Sequence, residues 1–174
     1  MTLNATRDAG LARLMDFVPR AGRTYAAERN LDRGPNDRSN VSSLSPWVRH
    51  RLVTEKDVVG AVLQRHSLDA ASKFVQEVYW RTYWKGWLEM RPAVWGRFVT
   101  ERDHARDSFP NARAIAAAEN GMTGIEGFDD WARELVANGY LHNHARMWLA
   151  SYVVHLRKVH WRAGADWLYV HLLD

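Results

Sequence analysis

Apolar residues recur at three- and four-residue spacing through almost every segment of this chain, and no six-residue run alternates apolar with polar side chains. A helix carries its buried stripe at that spacing, whereas a half-buried strand needs a period of two. The chain is therefore read as all-α. Helices are predicted over about 7–17, 20–30, 45–52, 55–66, 69–90, 111–119, 127–138, 143–158 and 164–172. The breaks follow from local chemistry. Ser45-Pro46 reads as a capping hydroxyl before a proline at the first helical position, and Thr54 with Asp57 three residues on reads as a capping box. Pro92 ends the long Trp-rich helix, and Gly121, Gly124 and Gly139 punctuate the second half. The polar stretch Asp32 to Asn40 is the main loop and leads into VSSLSPWVRH.

At 174 residues this is one domain's worth of chain, read as a single helical domain over 1–174. The absence of cysteine excludes a disulfide scaffold, a thiolate zinc site and a cysteine nucleophile. Any hard redox chemistry must come from a cofactor. The longest nearly apolar stretch, Met147 to Leu156, is interrupted by Ser151 and His155 and falls short of the roughly 20 residues that span a bilayer. The N-terminus lacks the apolar core of a secretory signal, so a cytoplasmic protein without a membrane anchor is expected.

The formal charge of +4 is too small to indicate nucleic acid, but its distribution is uneven. No acid falls between Glu134 and Asp166, where Arg146, Arg157, Lys158 and Arg162 lie with four histidines, so a positive surface is expected there. A second cluster, Arg20, Arg23, Arg29, Arg33 and Arg38, is interleaved with Glu28, Asp32 and Asp37 and reads as a solvated face.

Nine tryptophans are many for a helical domain of this size. Trp87 and Trp131 read as core. Trp80 does not, because Glu77, Trp80, Arg81 and Trp84 follow i, i+3, i+4, i+7 and share one stripe mixing an acid, a base and two indoles. Buried, that stripe would need each charge paired; concave and open, it would receive a flat polar ligand. Ser42, Ser43 and Ser45 bring three hydroxyls to a helix start, which suits a phosphate, although a serine run of this kind reads first as an ordinary N-cap. Asn143, Arg146 and Met147 place an amide, a guanidinium and a thioether along one helical edge, where Arg146 is also free to pair with a carboxylate such as Asp174. His142 and His144 sit two apart and point to different sides of a helix with no third ligand, so no metal is expected.

Four blocks in order, VSSLSPWVRHRLVTEKDV, FVQEVYWRTYWKGWL, GMTGIEGFDDWARELVANGYLHNHARMWLASYVV and HWRAGADWLYVHLLD, resemble the helical FAD-binding domain of the DNA photolyase/cryptochrome family over roughly 25–174. The resemblance implies FAD as cofactor, with Tyr25, Ser42, Leu44 and Ser45 at its diphosphate, Arg81 beside the cofactor or the DNA backbone, and Arg146 paired with Asp174 at the isoalloxazine ring. It implies damaged DNA as partner, with Glu77 and Asn143 hydrogen-bonding a flipped pyrimidine dimer, Trp80 and Met147 in apolar contact with it, and Arg29 and His144 near phosphates. Trp161 matches one member of the family's three-tryptophan electron path. Ala118 stands where the outermost is expected, and the innermost would follow Asp174. Arginine is typical at Ser43 and His144, and tryptophan at Tyr140; a mostly neutral His144 makes the weaker phosphate contact.

The family's N-terminal antenna domain has no counterpart here, and the chain stops where the family continues over the flavin, so the domain is read as C-terminally incomplete. Its activity, if complete, would be that of a photolyase-type lyase or a light sensor. Retention of Glu77, Trp80, Asn143 and Met147 favours repair. The alternatives are a photochemically inactive nucleic-acid-binding module, and an incomplete domain whose exposed apolar face needs a partner or dimerises.

Overall fold

The computed structural model describes residues 3–107, 112–156 and 161–174. Contacts group them into two compact units, 1–90 with 173–174, and 91–172. No strand occurs among the described residues, and no helix among them is long and apolar enough to cross a membrane.

The first unit contains α1 (Arg7–Phe17), a 3₁₀ turn (Val18–Arg20), α2 (Arg23–Glu28), α3 (Ser45–Arg49), α4 (Glu55–Leu63) and α5 (Leu68–Glu89). Thr6, Thr54 and Ser67 open α1, α4 and α5 by accepting the N–H groups of Ala9, Asp57 and Ala70. The predicted helix 20–30 is broken because Pro19 sits in the 3₁₀ turn and Gly22 follows it. A Cβ at Gly22 would come within 2.7 Å of the His66 ring, whose Nε2 lies 2.7 Å from the Val18 carbonyl. The predicted helix 45–52 is shorter, ending at Arg49. The chain turns there through Arg51 at φ 60°, and the Leu52 N–H returns to the Trp47 carbonyl at 2.9 Å. The core gathers Leu14, Phe17, Tyr25, Trp47, Val53, Val58, Val62 and Phe74.

The capping box at Thr54 forms as expected, and Arg7 joins it from α1, 3.1 Å from the Asp57 carboxylate. The Arg7 hydrogen bond first, then the Thr54 backbone N–H and hydroxyl, lowers the Asp57 pKa from its ordinary 3.8 to about 2. A depressed carboxylate stabilises the fold above its unfolded pKa and loses that contribution as pH falls through its folded value. The acid limb of stability between roughly pH 4 and pH 2 should therefore be shallower in Asp57→Asn, with about 1 kcal/mol already lost at neutral pH through the weakened cap. Thermal melts across that range check this; an unchanged acid slope would count against the assignment.

The second unit contains α6 (Ala93–Asp107), α7 (Ala112–Glu119), α8 (Phe128–Asn138), α9 (Asn143–Ser151), a π turn (Tyr152–Leu156) and α10 (Trp161–His171). Its core joins Phe128, Ala132, Leu135, Leu141, Leu149, Tyr152 and Trp167, with Trp131 packed against it as expected. Gly139 ends α8 in the left-handed conformation at φ 63°. Helix α6 was not predicted, since its second half, TERDHARD, has no apolar stripe. Tertiary partners supply what the pattern lacks. Trp95 and Phe98 meet Tyr169 and Trp161 of α10, Arg102 pairs with Asp166 at 3.0 Å, and Glu101 pairs with Arg162. Those same contacts anchor the first turn of α10, which begins at Trp161 rather than 164. The predicted helix 143–158 is α through Ser151 and π from Tyr152 to Leu156, and positions 157–158 lie outside the described residues.

Asp129 pins the loop before α8, accepting hydrogen bonds from the Thr123 hydroxyl at 2.6 Å and from the Thr123 and Gly124 N–H groups at 2.9 and 3.0 Å. Burial pushes its pKa up, but these donors outweigh burial and hold it below the ordinary value. The third block of the resemblance thus contains a loop lock whose polar groups satisfy one another.

Candidate functional site

The serine-bearing segment of the first unit is held from behind. Arg13 donates from Nε to the Ser42 carbonyl at 2.8 Å and from Nη2 to the Arg38 and Val41 carbonyls at 3.2 Å each. Arg20 Nε donates to the Ser39 carbonyl, and the Asn40 amide donates to the Glu28 and Leu31 carbonyls, each at 2.8 Å. Ser42 Oγ accepts the Leu44 N–H at 3.4 Å. Ser43 takes φ 51°, a region that disfavours side chains other than Asn, Asp or none.

Ser45 is not the cap the sequence predicted. The N-cap of α3 is Leu44, already in helical conformation, with no side-chain cap hydrogen bond; Ser45 is the first helical residue and Pro46 the second. With five residues, α3 also has too little dipole to hold an anion unaided. The case for a phosphate passes from the helix end to the turn, where Ser43 Oγ is buried without a hydrogen-bond partner among the described residues. Tyr25 lies in the core, edge-on to Phe17 and Phe74 at ring separations of 5.9 and 5.1 Å.

On α5 the mixed stripe forms as the spacing predicts. Trp80 is 52% exposed, too open for a core residue, and meets Tyr83 edge-on at 5.6 Å. Tyr83 meets Trp84 at 5.3 Å, and Trp84 meets Trp87 at 5.9 Å. Trp87, expected in the core, is only half-buried, because it ends this edge-to-face ladder near the exposed end of the helix. Glu77 is paired with Arg29 across from α2, which brings together two residues predicted separately. Arg81 is half-buried, and its Nε lacks a partner among the described residues. Burial holds its guanidinium below the ordinary value, with the carboxylates of Asp174 and Glu55 acting the other way.

In the second unit, Asn143 opens α9 with His142 as N-cap, the buried His142 ring accepting the His144 N–H at 3.2 Å. Arg146 donates from Nε to the Leu141 carbonyl at 2.8 Å, and its guanidinium lies over the Tyr140 ring at 5.5 Å. Met147 is 61% exposed. Trp161 contacts Phe98 at 6.0 Å, and Ala118 is buried in the core.

Charge pairing thins out both basic clusters. Arg20, Arg23, Arg29, Arg33 and Arg38 all have acidic partners, three of them supplied by Asp16, Asp69 and Glu77 from outside the cluster. In the acid-free stretch Arg162 is met by Glu101, while Arg157, Lys158 and His160 lie outside the described residues. Arg13, Asn40 and Tyr83 were not anticipated. Tyr83 was legible as the i+3 neighbour of Trp80, whereas Arg13 acts on carbonyls 25 to 29 positions away and leaves no local trace.

The model of the FAD binding domain of DNA photolyase matches residues 74–174. The Streptomyces griseus deoxyribodipyrimidine photo-lyase is 31% identical over 135 residues, 77% of this chain and 28% of that protein. The Ostreococcus tauri cryptochrome DASH, chloroplastic/mitochondrial, is 29% identical over 170 residues, 94% of this chain and 31% of that protein. The crystal structure of an Agrobacterium tumefaciens class III photolyase superimposes with a TM-score of 0.79 at 25% identity, over 97% of this chain and 35% of that one. A Synechocystis cryptochrome shares the fold at a TM-score of 0.82 and 24% identity, over 100% of this chain and 37% of that one. This all-α chain belongs to the photolyase/cryptochrome family through its FAD-binding domain, and FAD is the cofactor that membership assigns to it. It spans about a third of the length of the relatives it matches.

The residues present fit that group. A buried hydroxyl at Ser43 and a half-buried guanidinium N–H at Arg81 are donors without acceptors among the described residues, and an anionic dinucleotide rich in oxygen is what such donors lack.

Proposed function

We propose that this chain is the flavin-binding part of a photolyase-type protein acting on cyclobutane pyrimidine dimers in DNA. The observation that carries it is the solvent-facing stripe on α5, where an exposed indole stands between an ion-paired carboxylate and an under-satisfied guanidinium. Structural packing has no use for that combination; a flat, polar, flipped base does.

Bound FAD supplies light-driven one-electron chemistry, so no side chain has to act as nucleophile, acid or base in the central step. The protein's work is to bind and orient. In the first unit Tyr25, Ser42, Leu44 and Ser45 hold the diphosphate region and Arg81 the anionic edge; in the second, Arg146 holds the ring. Glu77 and Asn143 accept and donate hydrogen bonds to the dimer, while Trp80 and Met147 provide apolar surface against it. The Arg29 ion pair fixes the direction in which the Glu77 carboxylate faces. Trp161 serves electron transfer, and His144 makes a phosphate contact. Extruding a damaged base costs a few kcal/mol, which stacking on Trp80 at about 1–3 kcal/mol per base offsets.

The purified chain should turn yellow with FAD and bind dimer-containing DNA in preference to undamaged DNA, with a steep salt dependence. Trp80→Ala should keep the colour and reduce that preference by roughly 5- to 100-fold. A chain that stays colourless in excess FAD, or an unchanged preference in Trp80→Ala, would remove the reading.

A further inference from the structure

Trp80 is followed on α5 by three rings that the proposed function leaves without a task, Tyr83, Trp84 and Trp87. Trp80 meets Tyr83 edge-on at 5.6 Å, Tyr83 meets Trp84 at 5.3 Å, and Trp84 meets Trp87 at 5.9 Å. The spacing i, i+3, i+4, i+7 makes these contacts continuous along one face of the helix. Burial does not account for them, since Trp80, Tyr83 and Trp84 are each more than half exposed. What the four share is chemistry: in a chain without cysteine, indole and phenol are the side chains that give up a single electron most readily.

Tyr83 stands between two indoles and differs from them in one respect. An oxidised indole first carries a positive charge, and the half-buried Arg81 guanidinium lies on the same stripe, next to Trp80 in sequence and three residues before Trp84. Like charges repel at that spacing. An oxidised phenol instead sheds its proton, and Tyr83, 55% exposed, sheds it into water. The missing electron therefore comes to rest on Tyr83, as a neutral radical.

We propose that Tyr83 is a one-electron donor that restores the indoles of this ladder, Trp80 above all, after stray oxidation. One electron leaves Trp80 for an oxidant in contact with it. One electron then passes from Tyr83 to the indole, the phenolic O–H bond breaks, its proton goes to water, and a neutral tyrosyl radical remains. A soluble thiol returns a hydrogen atom to Tyr83, and two of the resulting thiyl radicals couple to a disulfide. Trp84 and Trp87 draw on the same tyrosine from its other side. The inference rests on the photolyase-type reading only for the source of the oxidant, the light-driven one-electron chemistry of that reaction; the relay itself stands on the ring contacts.

The test uses the whole chain without FAD or DNA. Azide radicals generated by pulse radiolysis take single electrons from tryptophan, and the optical signals of indolyl and phenoxyl radicals are followed in time. In the parent, indolyl should convert to phenoxyl at a rate independent of protein concentration. Tyr83→Phe keeps the ring contacts and should melt like the parent, yet it should lose the larger share of that conversion. Tyr169→Phe should lose less, since Tyr169 meets one indole, Trp95 at 5.4 Å. Tyr79→Phe should leave the conversion intact, because Tyr79 leaves α5 on a different side from Trp80. Under steady irradiation with glutathione, peptide mass spectrometry should find oxidation products on Trp80 several-fold more abundant in Tyr83→Phe than in the parent, and unchanged in Tyr79→Phe. Equal conversion in Tyr83→Phe and the parent, or equal damage at Trp80, overturns the proposal. No flavin enters these measurements, so a chain that shows the relay but stays colourless in excess FAD keeps this inference and discards the photolyase-type reading. A chain that turns yellow while Tyr83→Phe behaves like the parent keeps that reading and discards the relay.

Discussion

Gly10→Ala should destabilise the first unit by about 2–3 kcal/mol, although alanine normally improves a helix interior by up to about 1 kcal/mol over glycine. A Cβ at Gly10 would stand 2.7 Å from Val53 Cγ2 and 2.8 Å from the Trp47 ring, well inside contact distance. Neither neighbour can yield. Val53 is fully buried, and Trp47 is fixed at its far end by a 2.9 Å hydrogen bond from Nε1 to the Asn4 carbonyl. The absent side chain is what lets α1 approach the α3–α4 connection. Gly60, on the exposed side of α4 with nothing within 4 Å of a built Cβ, supplies the opposite case. Gly60→Ala should gain about 0.5–1 kcal/mol through helix propensity. Urea unfolding of the two variants should move in opposite directions; equal shifts would mean that the close approach carries no weight.

Arg146→Ala should weaken FAD retention by roughly 10- to 100-fold, the range expected when a charged group loses one or two hydrogen bonds to a bound partner. The geometry behind this is the fork. Nε is committed to the Leu141 carbonyl, and the Tyr140 ring lies under the guanidinium, so its plane is held before any ligand arrives. Arg146→Lys should recover little, since an ammonium can neither hold that plane nor form a fork. Arg23→Ala, at an exposed guanidinium 3.7 Å from Asp69, should leave retention unchanged. If Arg146→Ala lowers the melting temperature but leaves FAD affinity per folded molecule intact, Arg146 only supports the loop before α9.

Helices whose own sequence carries an apolar stripe and a cap were legible, and α1, α4, α5, α7 and α8 begin and end within a residue or three of the predicted positions. Helix α6 was invisible because its stability resides in α10, through the Trp95, Phe98, Glu101 and Arg102 contacts, and a local pattern carries no record of a partner about 60 positions away. The exposure of Trp80 was legible for the same reason that the burial of Trp131 was. One stripe mixes charge with indole, and the other lies on the apolar face of its helix. The N-cap of α3 was misplaced by one residue because a serine before a proline fits either position until the backbone of Leu44 is known.

By itself the order of residues determined an all-helical chain, its family, its cofactor and the residue types available to a ligand, since each of these depends on spacing along one element or on short motifs. Only the tertiary structure decided which charges are already spent. Arg29 is taken by Glu77, Arg162 by Glu101, and Arg13 by three carbonyls of a distant turn, while Ser43 and Arg81 keep donors unsatisfied among the described residues. The reason is physical: a hydrogen bond or ion pair forms between groups brought within about 3 Å, and that proximity belongs to the packed chain.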